Sequence, residues 1–475
     1  MNILAIDQGT SATKAILIGD GNELLGSAEV PVSVRAKGSA VEADPEELWE
    51  SVLAAGRAAL AAARSGADAV ALANQGETVL AWDRATGRPL TRAISWQDRR
   101  AASVCDRLAG QADRLAELTG LPLDPYFAAP KMAWLRENIT TDGVVTTTDT
   151  WLLARLGAEY VTDAATASRT MLVDIDAADW SAEACEVFGI DQVTLPMVTD
   201  CASIAGETSC FGPAIPVAGL AVDQQAALLA ERCLEAGQAK CTYGTGAFLL
   251  VTTGAKAVRS TGGLAASVAW RLRGTATYCL DGQVYTAGAA LSWLSEIGLL
   301  AQASQIDELA GPVADAGGVQ FIPALAGLAA PYWRPAARGA FLNLSLGSTR
   351  SHLVTAVIEG IAASVALLAG SVAADLGAGL SALRVDGGLT RSRTLVQAQA
   401  DLLQLPVEVC ETPHATALGV AALARLGTGH RSDVSAALGA PRGGTIVEPR
   451  MGPSEAARRL AGFRTAVDLI VAAAT

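Results

Sequence analysis

Hydrophobic positions along the chain alternate between short continuous runs and helical stripes. The first run, Ile3–Ile6, gives way to polar residues 7–13 and resumes at Ala15–Ile18, which predicts two strands joined by a tight turn. From Pro45 to Ala63, Leu48, Trp49, Val52, Leu53 and Leu60 return on one side of a 3.6-residue period, which predicts a helix. Ala69–Ala73 reads as a short apolar strand that ends in Asn74-Gln75-Gly76-Glu77-Thr78. A Gly/Pro break at Gly212–Pro216 precedes a predicted helix from Gln224 to Glu235. A strand–turn–strand over Lys240–Thr252 follows, with Tyr243-Gly244-Thr245-Gly246 at its tip. Late in the chain an apolar strand ends in Val385-Asp386-Gly387-Gly388, before a predicted helix Thr394–Leu405. Such alternation argues for an α/β fold. The same device, two strands around a Gly/Thr turn, opens the chain and recurs at Gly244. A boundary near residue 225 gives each half one copy, hence domains 1–225 and 226–475.

Length agrees with that division. The chain has 475 residues, and single cores stop growing at roughly 250–300 residues. Apolar residues make up 51% and charged residues 17%, ample for a large core. The formal net charge of −13 disfavours nucleic acid and anionic membranes as partners. The opening Met1-Asn2-Ile3-Leu4-Ala5-Ile6-Asp7 has no basic region and its apolar run stops at Asp7, so no signal peptide is expected. The longest apolar stretch, Ile361–Ala374, is shorter than the roughly 17–25 residues that span a bilayer, so a buried helix is expected and no membrane insertion. Eight cysteines occur with no C-x-x-C pair, so reduced core thiols and a cytoplasmic location are expected. His352, His414 and His430 form no triad or metal pattern.

Four segments carry parts of a nucleotide site. Asp7-Gln8-Gly9-Thr10-Ser11-Ala12-Thr13-Lys14 offers glycine for close backbone approach, hydroxyls and N–H groups for phosphate oxygens, and a lysine for charge. An Asp at a strand end suits magnesium. The P-loop pattern is absent, and an ordinary hairpin turn reads equally well. The Tyr243–Gly246 turn and the Asp386-Gly387-Gly388 turn each suit a phosphate or flat ligand, or simply a turn needing φ > 0. Asp223 opens a helix, where a carboxylate is stabilised in its ionised form and serves as a proton acceptor or as a cap.

Their order carries more than any one of them. Asp-Gln-Gly-Thr-Ser, Val-Asp-Gln-Gln-Ala-Ala, Tyr-Gly-Thr-Gly and Asp-Gly-Gly, taken in sequence, resemble the FGGY carbohydrate kinases, above all the glycerol-phosphorylating members. Supporting text includes Trp96–Arg100, Asp124–Phe127, Thr166–Leu172 and Ala330–Arg334, so the resemblance runs from residue 2 to about 428. It implies a two-domain actin-like, ribonuclease H-like ATPase fold, with ATP and substrate in the interdomain cleft. It implies Asp223 as catalytic base, Gln224 as a substrate ligand and Asp7 as organiser of Mg2+. Thr10, Ser11, Lys14 and Thr245 match phosphate contacts, and Gly288 and Gly388 match nucleotide contacts. Ser292 and Ser392 stand where the glycerol-phosphorylating members carry Gln and Asn. Glu77, Trp96, Tyr126 and Phe248 match polyol-binding positions. A filament or chaperone protein on the same fold would have no use for that substrate-side set.

Departures from the family bear on the substrate. Gly76 stands where the glycerol-phosphorylating members carry an Arg that binds substrate hydroxyls. A lost charge-assisted bond is worth roughly 1.5–3 kcal/mol. Glycerol is therefore expected to bind poorly unless another group fills in; the expected reaction is transfer of the ATP γ-phosphoryl group to glycerol or a related polyol. The alternative is a longer substrate: a tetritol, a pentitol, or a ketose such as xylulose. Ala128 and Asn343 also depart from the family's signatures, away from the proposed chemistry. Phe211–Pro216, where related enzymes can bind fructose 1,6-bisphosphate, holds no Lys or Arg, so no such regulation is expected. The partner is a small polyol or sugar, with a homodimer as the assembly the resemblance allows.

Overall fold

The structure is a computed structural model that describes residues 1–302, 305–311, 313, 315–411, 414–441 and 443–474. The first predicted hairpin forms as β1 (Ile3–Gln8) and β2 (Ala12–Ile18), extended by β3 (Leu24–Pro31). Helix α1 spans Pro45–Ala63; Asp44 caps it by accepting from the Glu46 N–H, and Pro45 sits in its first turn. Strands β4 (Ala69–Asn74), β5 (Ile204–Thr208) and β6 (Ile215–Val222) complete a six-stranded sheet in the order β5-β6-β4-β1-β2-β3. β1, β4 and β6 run parallel, so Asp7, Asn74 and Val222 end at one edge of it. Ligands of open α/β sheets bind at that carboxyl edge.

A second sheet repeats the plan. Strands β7 (Gln238–Tyr243) and β8 (Ala247–Gly254) form the second hairpin, followed by β9 (Ala265–Leu272) and β10 (Thr275–Val284). β11 (Ala382–Asp386) and β12 (Val407–Val409) lie parallel to β7, and β13 (Thr445–Val447) closes the order β9-β10-β8-β7-β11-β12-β13. In both sheets an antiparallel meander continues into parallel strands. Two α/β lobes on this common plan match the expected architecture.

Several predicted ends shift. The helix expected over 224–235 is Asp223–Ala230, because the chain turns at Glu231 and Arg232, the latter with φ +56°. The late helix is Arg393–Leu403, separated from Gly387 by a 3-10 turn over Gly388–Arg391. The apolar stretch lies within the helix Arg350–Leu376, long and apolar enough to cross a membrane, yet with 78% of its most apolar window buried in the protein. The boundary expected near residue 225 falls inside the helix Asp223–Ala230. The helix Ala415–Gly427 of the second half packs on the first sheet: Leu418, Ala421 and Ala424 join Ile3, Ala5, Ala71 and Ala221 in one core. Arg425 on that helix is buried and donates to Asn22 Oδ1 at 2.6 Å and to the Gly19 carbonyl at 2.6 Å.

Candidate active site

Asp7 is the last residue but one of β1 and Asp223 follows β6, so the parallel strands bring two carboxylates to one edge. Burial raises the Asp7 pKa to about 7, with the charge of Asp223 adding to the rise and Lys14 opposing it. Asp223 is raised by burial and held down in part by Lys240. Its Oδ1 accepts the Gln224 N–H at 2.6 Å, at the first turn of its helix. Two partly exposed carboxylates, one of which feels the charge of the other, fit a divalent cation. Mg2+ takes few protein ligands, one or two carboxylates, and completes its shell with water and phosphate. Asp7 and Asp223 supply that number. Among the described residues no group of three or more His, Cys, Asp or Glu gathers into a metal site.

The polyol-side residues also converge. Glu77 is buried, with a pKa raised to about 7 by that burial against the pull of Arg169. Its backbone is left-handed (φ +48°), as is that of Gly76 (φ +46°), the sort of strain kept where a side chain must be aimed. Trp96 packs edge-on to Tyr126, with ring centroids 5.6 Å apart, and to Phe248 at 6.5 Å, forming an aromatic wall from both lobes. Trp96 Nε1 donates to Thr10 Oγ1 at 2.8 Å, which ties this wall to the turn between β1 and β2. A Cβ added to Gly76 would approach Val222 Cγ1 at 3.3 Å, beside Asp223.

On the nucleotide side, the Gly288 N–H donates to the Gly244 carbonyl, and the Ala287 and Ala289 N–H groups donate to the Thr245 carbonyl, at 2.9–3.0 Å. A Cβ on Gly288 would lie 2.6 Å from the Gly244 oxygen, so only glycine permits this contact. Gly387 (φ +95°) abuts the Tyr243 backbone, whereas a Cβ on Gly388 would meet nothing within 4 Å, which leaves room for a flat ligand. Of the other expected contacts, two are paired within the chain and two are exposed. Ser392 caps the helix Arg393–Leu403 and donates to Asp307 Oδ1 at 2.7 Å. Lys14 Nζ lies 3.3 Å from Glu29. Ser11 and Ser292 are exposed.

Several buried groups went unseen in the sequence. Lys240 Nζ, fully buried, donates to Gln224 Oε1 at 2.5 Å and to Thr242 Oγ1 at 2.8 Å. Lys131 Nζ donates to the carbonyls of Pro125, Tyr126 and Phe127 at 2.9, 2.5 and 2.6 Å and so locks the loop that carries Tyr126. Burial lowers its pKa to about 7 while Glu77 opposes the fall. Arg99 bridges the lobes, donating to Asp124 Oδ1 at 2.6 Å and to the Tyr285 hydroxyl at 2.7 Å. Arg169 joins Glu77 to Asp281 on β10. The available signal was a charged residue inside an apolar strand run, as with Lys240 and Asp281.

A carboxylate at a helix N-terminus, a second carboxylate that feels its charge, two glycine-containing turns and an aromatic wall form an arrangement that suits phosphoryl transfer to a hydroxyl, a reaction governed by positioning and charge. The profile of the FGGY family of carbohydrate kinases, N-terminal domain, matches residues 2–230, and that of its C-terminal domain matches residues 239–427. The chain belongs to the FGGY family of carbohydrate kinases. A glycerol kinase of Thermus brockianus is 45% identical over 445 residues, 90% of each chain. A glycerol kinase of Dechloromonas aromatica is 41% identical over 487 residues, 98% of this chain and 97% of that one. The crystal structure of Plasmodium falciparum glycerol kinase with ADP superposes with a TM-score of 0.91 at 29% identity, covering 99% of this chain and 98% of that one. A ligand-bound xylulose kinase from Lactobacillus acidophilus shares the fold, with a TM-score of 0.90 at 20% identity over 100% and 98% of the two chains. As an FGGY kinase the chain is a phosphotransferase with an alcohol group as acceptor; it uses ATP with Mg2+ and acts on a polyol or sugar. When bound, the metal ion supplies charge neutralisation at the transferring phosphoryl group.

Proposed function

We propose that the enzyme transfers the γ-phosphoryl group of ATP to a terminal hydroxyl of glycerol. The convergence of Glu77, Trp96, Tyr126 and Phe248 beside Asp223 carries this reading. The pocket presents one acidic group, an aromatic wall and a base, which suits a small, uncharged, hydroxyl-rich acceptor. The full-length similarity to proteins named glycerol kinase, at 41–45% identity, supports glycerol over a ketose. In the proposed step Asp223 accepts the hydroxyl proton while the oxygen attacks phosphorus and ADP leaves. Asp7 would hold Mg2+, and Thr10, Ser11, Lys14, Thr245, Gly288 and Gly388 would surround the nucleotide. Eight free thiols, most of them buried, fit a cytoplasmic site of action. The residue at Gly76 favours a second reading, a tetritol, pentitol or ketose filling the space of the absent side chain. A coupled assay over glycerol, erythritol, xylitol, ribitol, xylulose and ribulose tests both. The highest kcat/KM is expected for glycerol; turnover confined to a five-carbon acceptor would overturn that.

A further inference from the structure

Arg169 follows the helix Ala164–Ser168 and is 3% exposed. Its Nε donates to Glu77 Oε1 at 2.6 Å and its Nη1 to Asp281 Oδ1 at 2.8 Å. Asp281 is itself held, its Oδ2 accepting from Gln283 Nε2 at 2.9 Å. The guanidinium carbon lies 5.9 Å from the Tyr126 ring centroid and 5.2 Å from that of Phe127. Burial works against its charge, but Asp281 and Glu77 more than offset this, and Arg169 in turn helps to keep Asp223 ionised. Arg169 thus sits among Glu77, Tyr126 and Asp223, three positions of the proposed acceptor pocket.

A guanidinium carries five N–H donors in a planar fork. Nε and Nη1 are engaged as above, while Nη2 makes no hydrogen bond to the described residues. Position 76, immediately before Glu77, brings no side chain that could compete for the space. A carboxylate acceptor beside a guanidinium donor matches adjacent hydroxyls of a polyol, one donating and one accepting. The third partner, Asp281, belongs to the second sheet, so the pair is anchored across the cleft.

We infer that Arg169 is a substrate-recognition residue that positions Glu77. It holds the Glu77 carboxylate as acceptor for one hydroxyl and offers Nη2 to the neighbouring hydroxyl of a vicinal diol. Asp281 makes this arrangement depend on the second lobe. This rests on the polyol-kinase reading above.

The test compares wild type, Arg169→Lys and Asp281→Asn with the acceptor that gives the highest kcat/KM in the screen. It also uses 1,3-propanediol, which lacks adjacent hydroxyls. Arg169→Lys keeps the buried charge but loses the fork. The expected result is a KM for the vicinal polyol raised about ten- to a hundredfold, the scale of a charge-assisted bond, with KM for ATP changed less than about threefold. Preference for the polyol over 1,3-propanediol should shrink by a similar factor. Asp281→Asn should move the polyol KM in the same direction by less. An unchanged polyol KM and an unchanged preference in Arg169→Lys would overturn the inference, as would parallel losses in both KM values and in melting temperature, which mark a purely structural role. If Arg169→Lys does not fold, Asp281→Asn decides: a polyol KM equal to wild type overturns the inference. A wild-type enzyme that phosphorylates no vicinal polyol would instead refute the functional reading.

Discussion

Lys240 Nζ lies 2.5 Å from Oε1 of Gln224, the residue after the proposed base Asp223. One buried ammonium therefore both fixes the amide of Gln224 and favours the ionised form of Asp223. Replacing Lys240 with Met removes both effects. The Asp223 pKa then rises, so less base is ionised at any given pH. We expect the acidic limb of the kcat profile to move to higher pH and activity at pH 7 to fall about tenfold or more. An unmoved limb would show that Lys240 does not act on the base.

Asp223→Asn keeps the shape of the side chain and its place at the helix N-terminus but cannot take a proton. General-base removal typically costs about 10²–10⁴ in rate. We expect kcat to fall within that range while ATP affinity, measured by calorimetry, stays within a few-fold. A near-normal rate would refute the assignment of the base.

Asp7 titrates near 7 in the native state, against 3.8 for the ordinary group. Its folded pKa is raised, so the protonated native form is favoured. Its contribution to stability is present at low pH and is lost as the pH rises towards about 7. Above that, Asp7 is charged, and the charge of Asp223 opposes it. Mg2+ with a nucleotide should relieve this repulsion, so its stabilisation should be larger at pH 8 than at pH 6. Melting curves with and without Mg2+-ADP at the two pH values measure it. Equal shifts would separate Asp7 from the metal.

Gly288→Ala would place a methyl group 2.6 Å from the Gly244 carbonyl oxygen. The Tyr243–Gly246 turn must then shift. We expect KM for ATP to rise about tenfold, and more than the acceptor KM, because the displaced turn is the one proposed to face the nucleotide. Steady-state kinetics with each substrate varied in turn distinguish the two.

Local pattern revealed much of this molecule. The β1–β2 hairpin, the helix Pro45–Ala63 and the start of the helix at Asp223 follow from periodicity, capping residues and turn residues close together in the chain. The ends of the helices near residues 230 and 403 were less legible. They are set by left-handed backbone at Arg232 and Gln404, which are not residues of strong turn preference. The buried charges were hidden for a different reason. Arg169 meets Glu77 across 92 residues and Asp281 across 112. No local period encodes such partners; only the closing of both sheets brings them together. Gly76 stands out by what it lacks, and the guanidinium nearest to Glu77 arrives from another element altogether.

The helix Ala415–Gly427 sets a timetable for synthesis. When the ribosome has finished the strands of the first sheet, the face bearing Ile3, Ala5, Ala71 and Ala221 still lacks Leu418, Ala421 and Ala424. About 200 further residues must emerge before that cover exists, on the order of ten to forty seconds at common elongation rates. For that interval the nascent first half carries an open greasy face, a natural place for a chaperone to hold. Expression of residues 1–225 alone would make that exposure permanent.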